Sequence, residues 1–175
     1  MRALLIVDMQ RDFVETGGTL SFSDSSTIVE PVLALTKEFI ERGDVIFTTQ
    51  DWHDKSDEEF TLWPEHCLKG SEGARLIRPL EEMLSSYKNH YTIHKKHYSA
   101  FHGTSFDKLL KMMRTDEVHV CGVVTHICVL FTVEELRNRH IKVKVYKSAV
   151  ASPDRDLHDC ALRLMEEVLG AEVIG

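Results

Sequence analysis

The 175-residue chain has four cysteines, four prolines, no excess of positive charge and no long apolar run, and each shortage removes a class of protein. The cysteines (67, 121, 128 and 160) stand at irregular intervals without a CxxC pair. That spacing builds neither a disulfide framework nor a zinc ribbon, and it suits a reducing cytosol, the expected location. With 21 Lys and Arg against 28 Asp and Glu, the formal charge is −7. Nucleic acid and anionic membranes, which reward a basic surface, are therefore excluded as main partners. The one basic stretch, His94-Lys95-Lys96-His97, is brief. No segment approaches the roughly 18 apolar residues needed to cross a bilayer. The apolar run at the start closes at Asp8 without a cleavage pattern, unlike a signal peptide. Neither GxGxxG nor GxxxxGK[ST] occurs, so no nucleotide-phosphate cradle is expected.

What is present is a soluble, globular composition, 43% hydrophobic and 28% charged, at a length that suits one domain over residues 1–175. Short β-branched runs alternate with helical patterns. Residues 3–7, 45–49, 117–121 and 143–146 read as buried strands, and 91–94 and 172–174 as weaker ones. Residues 27–42 predict a helix with Ile28, Val32, Leu35 and Phe39 on one stripe, a capping box of Thr27 with Glu30, and Gly43 as the stop. Val129, Val133 and Leu136 repeat that spacing over 125–139. Leu157, Ala161, Leu164 and Val168 share a face after Asp154, and Gly170 ends it. Strand and helix in alternation imply parallel pairing through right-handed crossovers, hence an α/β sheet covered on both faces. Ligands of such sheets bind beyond the carboxyl ends of the strands.

Those strand ends carry ionisable groups: Asp8, the run Gln50-Asp51-Trp52-His53, Lys95, and Cys128 shortly after Gly122. Cys128 near a helix start is a candidate nucleophile, because free amides and the helix dipole favour a thiolate there. It also reads as a buried structural cysteine. A carboxylate at Asp8 is costly on a central strand unless paired or working. Lys95 would hold negative charge, whereas Lys96 reads as a solvated surface residue. Asp51 and His53, two residues apart after a strand, aim to one side. His66 in Trp63-Pro64-Glu65-His66-Cys67 would complete a carboxylate–imidazole set suited to a divalent first-row metal. The stretch from Gln50 to Glu72 is the longest irregular piece, as functional loops often are.

Five runs resemble, in order, the isochorismatase-like cysteine hydrolases, nicotinamidases in particular. They are Leu5–Phe13 (LIVDMQRDF), Thr49–His53 (TQDWH), Leu62–Cys67 (LWPEHC), Lys95–Thr104 (KKHYSAFHGT) and Cys121–Val129 (CGVVTHICV). The resemblance implies a three-layer α/β/α fold with a six-stranded parallel sheet of order 3-2-1-4-5-6. It implies a triad of Asp8, Lys95 and Cys128, with an oxyanion hole of N–H groups at Val124 and Cys128 and a cis peptide near Val123-Val124. Asp51, His53 and His66 match metal ligands and Glu59 a fourth, for one divalent ion, zinc first and manganese or iron as alternatives. Phe13, Trp63 and Tyr98 match a ring pocket. The implied activity is hydrolysis of nicotinamide to nicotinate and ammonia in pyridine-nucleotide salvage. A related amidase acting on another small amide or carbamoyl compound, and a metal-stabilised binding protein, stand as alternatives, and a homo-oligomer stays open. Two departures are visible: His126 where many relatives carry an acid, and a short loop between His53 and His66.

Overall fold

The computed structural model describes residues 1–175. Six strands, β1 (Arg2–Val7), β2 (Val45–Asp51), β3 (His90–Lys95), β4 (Glu117–Val123), β5 (Lys142–Ala151) and β6 (Glu172–Ile174), alternate with helices. The α-helices are α1 (Arg11–Val14), α2 (Val29–Arg42), α3 (Arg78–Leu84), α4 (Phe106–Met112), α5 (Leu130–Asn138) and α6 (Arg155–Arg163). The strands form one parallel sheet of order β3-β2-β1-β4-β5-β6. Both edge strands read weakly from sequence are therefore real.

The period of two along β1 divides its side chains between two cores. Ala3, Leu5 and Val7 face a cluster that holds Phe106 and Leu110 of α4, Val129, Val133 and Leu136, and Ala161 and Leu162. Leu4 and Ile6 face the opposite cluster, with Phe13 and Val14 of α1, Val32 and Phe39 of α2, and Leu80 and Leu84 of α3. Because β1 is covered on both faces it reads as a continuous apolar run, as central parallel strands do. Truncating one such side chain, Leu80 for example, costs about 2–5 kcal/mol.

Helix ends explain where sequence reading succeeded and where it did not. Gly43 adopts φ 74°, and its N–H and that of Asp44 bond to the carbonyls of Ile40 and Phe39, the left-handed stop that glycine makes cheap. The Thr27–Glu30 capping box does not form. Residues Ser23–Ile28 wind as a 3₁₀ turn that feeds α2 directly, and the Thr27 hydroxyl bonds back to the Asp24 carbonyl. No glycine closes α5; His140 takes the left-handed conformation instead, at φ 60°. The face expected on α6 is also displaced. Ala161 is buried as expected, but Leu157, Leu164 and Val168 are exposed, and Leu162 and Met165, one residue further round the helix than Ala161 and Leu164, are buried instead. The helix runs into a π-turn over Leu164–Val168, which shifts the phase of the pattern.

Candidate active site

The sheet order reverses between β1 and β4, and the ionisable strand ends meet beyond that junction, the crevice where open α/β sheets bind ligands. Asp8 follows β1 at φ 49°, Asp51 closes β2, Lys95 closes β3, and Cys128 lies in a π-turn (Thr125–Val129) after β4. Gly122 lets the two central strands come this close. Its φ is 114°, and a Cβ there would stand 2.0 Å from the Val7 carbonyl oxygen. The Val123-Val124 peptide that follows is cis.

Asp8, Lys95 and Cys128 are buried and converge. Lys95 Nζ is 2.8 Å from Asp8 Oδ2 and 3.5 Å from Cys128 Sγ, and it also pairs with Asp51 Oδ1. The Asp8 and Asp51 carboxylates and Sγ lie within 4.8 Å of one another. One ammonium thus serves two carboxylates, and their surroundings split them. Burial pushes the Asp8 carboxyl up, and the charge of Asp51 adds to it against the pull of Lys95. For Asp51, burial acts in the same direction, but the Lys95 ammonium and the two adjacent imidazoles outweigh it and hold the group well below the carboxylate range. The two carboxyls are thus shifted in opposite directions, Asp51 down and Asp8 up. The thiol departs from expectation. Burial pushes Cys128 well above its ordinary value, beyond what Lys95 offsets. This shift opposes the pull toward a thiolate expected of the helix start.

On the other side of Asp51 lie His53, His66 and Glu59, whose ligand atoms with those of Asp51 fall within 4.8 Å of one another. His53 Nε2 and His66 Nε2 are 3.8 and 3.7 Å from Asp51 Oδ2, and His66 Nε2 is 3.9 Å from Glu59 Oε1. The other ring nitrogens fix the tautomers. His66 Nδ1 is 2.7 Å from the Pro64 carbonyl, which only accepts, and His53 Nδ1 is 3.1 Å from Asp57 Oδ2. Both Nδ1 atoms therefore carry hydrogen, and both Nε2 lone pairs point toward carboxylate oxygen. His53 Nε2 is buried without a hydrogen-bond partner. Lone pairs and carboxylates gathered this way repel one another unless a cation lies between them, and the donor set suits zinc, manganese or iron. The four residues fit a divalent ion.

A cavity of about 300 Å³ opens onto both clusters, lined by Asp51, Glu59, His66 and Cys128 and by the apolar walls Phe13, Trp63 and Tyr98. Trp63 Nε1 donates to Tyr98 Oη at 3.1 Å, and the Phe13 ring lies 5.5 Å from that of His66. The Val124 N–H, at the same cavity, donates to no group of the protein, as an oxyanion donor requires. His126 also lines it, its Nδ1 2.9 Å from Ser152 Oγ. Sequence reading missed Leu20 and Phe22 on the far wall, Asp57 behind His53, Thr49 against Asp8, and Gln10. The Gln10 side chain clamps the Asp51 main chain, donating to its carbonyl and accepting its N–H. Only the position of Asp57, four residues after His53 in a short polar loop, offered a signal.

A profile of the Isochorismatase domain matches residues 2–175. The isochorismatase family protein PncA of Bacillus subtilis strain 168 is 36% identical, over 98% of this chain and 98% of its own. The crystal structure of nicotinamidase/pyrazinamidase PncA from Bacillus subtilis superposes with a TM-score of 0.94 at 32% identity, covering 99% of each chain. That of the pyrazinamidase of Pyrococcus horikoshii in complex with zinc gives 0.89 at 29%, over 99% of this chain and 98% of the other. Fold and site define an isochorismatase-like α/β hydrolase, and the chain belongs to the isochorismatase family. Within that family it stands with the nicotinamidase-like amidohydrolases.

Proposed function

We propose that this chain hydrolyses nicotinamide to nicotinate and ammonia through a thioester on Cys128, with a divalent ion held by Asp51, His53, His66 and Glu59. The observation that carries the reading is Lys95 beside both Asp8 and Cys128, with Cys128 lining an aromatic cavity that also opens onto the imidazole–carboxylate set. When bound, the ion supplies a Lewis-acid acceptor for a substrate lone pair such as that of a pyridine nitrogen.

The protein's own groups account for the rest. Phe13, Trp63 and Tyr98 hold a flat ring, which places its carboxamide over Sγ. Asp8 takes the Cys128 proton, and sulfur attacks the carbonyl carbon while the carbonyl electron pair moves onto oxygen. The free Val124 N–H, with that of Cys128, stabilises this oxyanion; one such donor is worth roughly 3 kcal/mol in the transition state. Asp8 returns its proton to the amide nitrogen as the C–N bond breaks and ammonia leaves. It then deprotonates a water that attacks the thioester, and the proton passes back to sulfur as the C–S bond breaks. Throughout, Lys95 balances the negative charge that shuttles between Asp8 and Sγ.

Ammonia release from nicotinamide by purified, metal-replete protein tests the reading. Cys128→Ser is expected to abolish turnover while leaving the fold intact. Retention of more than about a tenth of the activity would remove Cys128 as nucleophile, because loss of a covalent nucleophile costs orders of magnitude. No ammonia from nicotinamide, with release from another small amide, would keep the chemistry and change the substrate.

A further inference from the structure

To act as a base, Asp8 must present one particular oxygen to Cys128, and a residue that makes and breaks no bonds holds it in that pose. Thr49, inside β2, is fully buried. Its hydroxyl donates to Asp8 Oδ1 at 2.5 Å and accepts the Asp8 backbone N–H at 3.1 Å. The roles follow from the groups themselves. An amide N–H only donates, so the hydroxyl oxygen receives it, and the single hydroxyl proton is left for the carboxylate. Oδ2 pairs with the Lys95 ammonium at 2.8 Å, and no other side chain donates to it. Asp8 lies past the end of β1 in the left-handed region, φ 49°, and its amide bonds to the Thr49 hydroxyl rather than to a neighbouring strand.

We propose that Thr49 is a positioning residue for acyl transfer: its hydroxyl occupies Oδ1, fixes the carboxylate plane, and leaves Oδ2, the oxygen paired with Lys95, to take the Cys128 proton. This assignment rests on Cys128 being the nucleophile and Asp8 its base. The step served moves one proton. The S–H bond breaks, an O–H bond forms on Oδ2, and sulfur keeps the electron pair. The main chain of Thr49 is held independently by β-pairing, in register with Ile93 of β3, so the hydroxyl is not needed to keep the strand in place. A buried threonine commonly bonds to whatever oxygen lies nearest. Here that oxygen belongs to the carboxylate that moves the proton, and no other side chain donates a hydrogen bond to Oδ1.

The test compares Thr49→Val, which keeps the β-branched shape and loses the hydroxyl, with Thr49→Ser, which keeps the hydroxyl and loses a methyl. Nicotinamide hydrolysis is measured in metal-saturated protein, with circular dichroism to establish the folded fraction. For Val we expect kcat per folded molecule to fall about 10- to 100-fold, the size of a misplaced reacting group, with KM unchanged. Ser is expected to restore most of kcat. If Val does not fold, Thr49→Ala replaces it, since Ser and Ala differ by the one oxygen at issue. Wild-type kcat in Val, equal kcat in Ser and Ala, or a rise in KM alone would overturn the proposal. A wild-type protein that releases no ammonia, or a Cys128→Ser variant that still does, would instead overturn the function on which it stands.

Discussion

Removing the carboxylate behind His53 isolates the metal site from the thiol chemistry. Asp57 touches neither the proposed ion nor Cys128. Its Oδ2 accepts from His53 Nδ1 at 3.1 Å, and its Oδ1 accepts the Glu59 N–H at 3.2 Å, which caps the short 3₁₀ turn carrying Glu59. One side chain thus orients two of the four ligands. Loss of such an outer partner typically lowers metal affinity about 10- to 100-fold, which is about 1.4–2.8 kcal/mol. Asp57→Asn keeps an oxygen for the cap and loses the charged acceptor, so it belongs at the lower end. Asp57→Ala loses the cap as well, worth about 1 kcal/mol, and belongs at the upper end. The assay is competition between apoprotein and a chromogenic chelator for zinc or manganese, followed by kcat at saturating metal. The dissociation constant should rise in the order wild type, Asn, Ala, with kcat nearly unchanged once the site is filled. Unchanged affinity in both variants would refute the reasoning. So would unchanged affinity joined to a lost kcat, which would place Asp57 in the chemistry instead.

Three further outcomes follow from the geometry. Gly122→Ala forces a side chain into the left-handed region and against the Val7 carbonyl, so strain and overpacking together should cost about 2–5 kcal/mol. Urea denaturation would read this as a lower midpoint at unchanged slope, and a wild-type midpoint would contradict the close approach of β1 and β4. Lys95→Ala should stop turnover and destabilise the fold by about 3–5 kcal/mol, because Asp8 is left buried without a counter-charge. Lys96→Ala, at an exposed lysine that shares Asp54 with Lys69, should leave kcat and Tm unchanged, and the reverse pattern would transfer the role to Lys96. Chelation should raise KM for nicotinamide strongly while Cys128 still reacts with an alkylating agent, since Lys95 and Asp8 remain beside the sulfur. Unchanged hydrolysis on metal removal and readdition would reduce the Asp51, His53 and His66 cluster to a structural role.

Which residues reach the strand ends was legible along the chain. The apolar runs over residues 3–7, 45–49, 117–121 and 143–146 made four of the six strands legible, and those over 91–94 and 172–174 read more weakly. Alternation with helices then fixed parallel pairing and the edge on which the polar ends collect. The five runs in order did the rest, because each couples a strand to the residue just beyond it. What sequence could not carry was anything set by a neighbour distant along the chain. Thr49 looks like any threonine of a buried strand until Asp8, 41 positions away, folds back onto its hydroxyl. The face of α6 was set by the core beneath it, which takes Ala161 and Leu162, so a period read from Leu157 pointed to solvent. The state of Cys128 was likewise a tertiary matter. Local position favours a thiolate, whereas the surrounding core, through the cost of burying charge, pushes the Cys128 thiol upward.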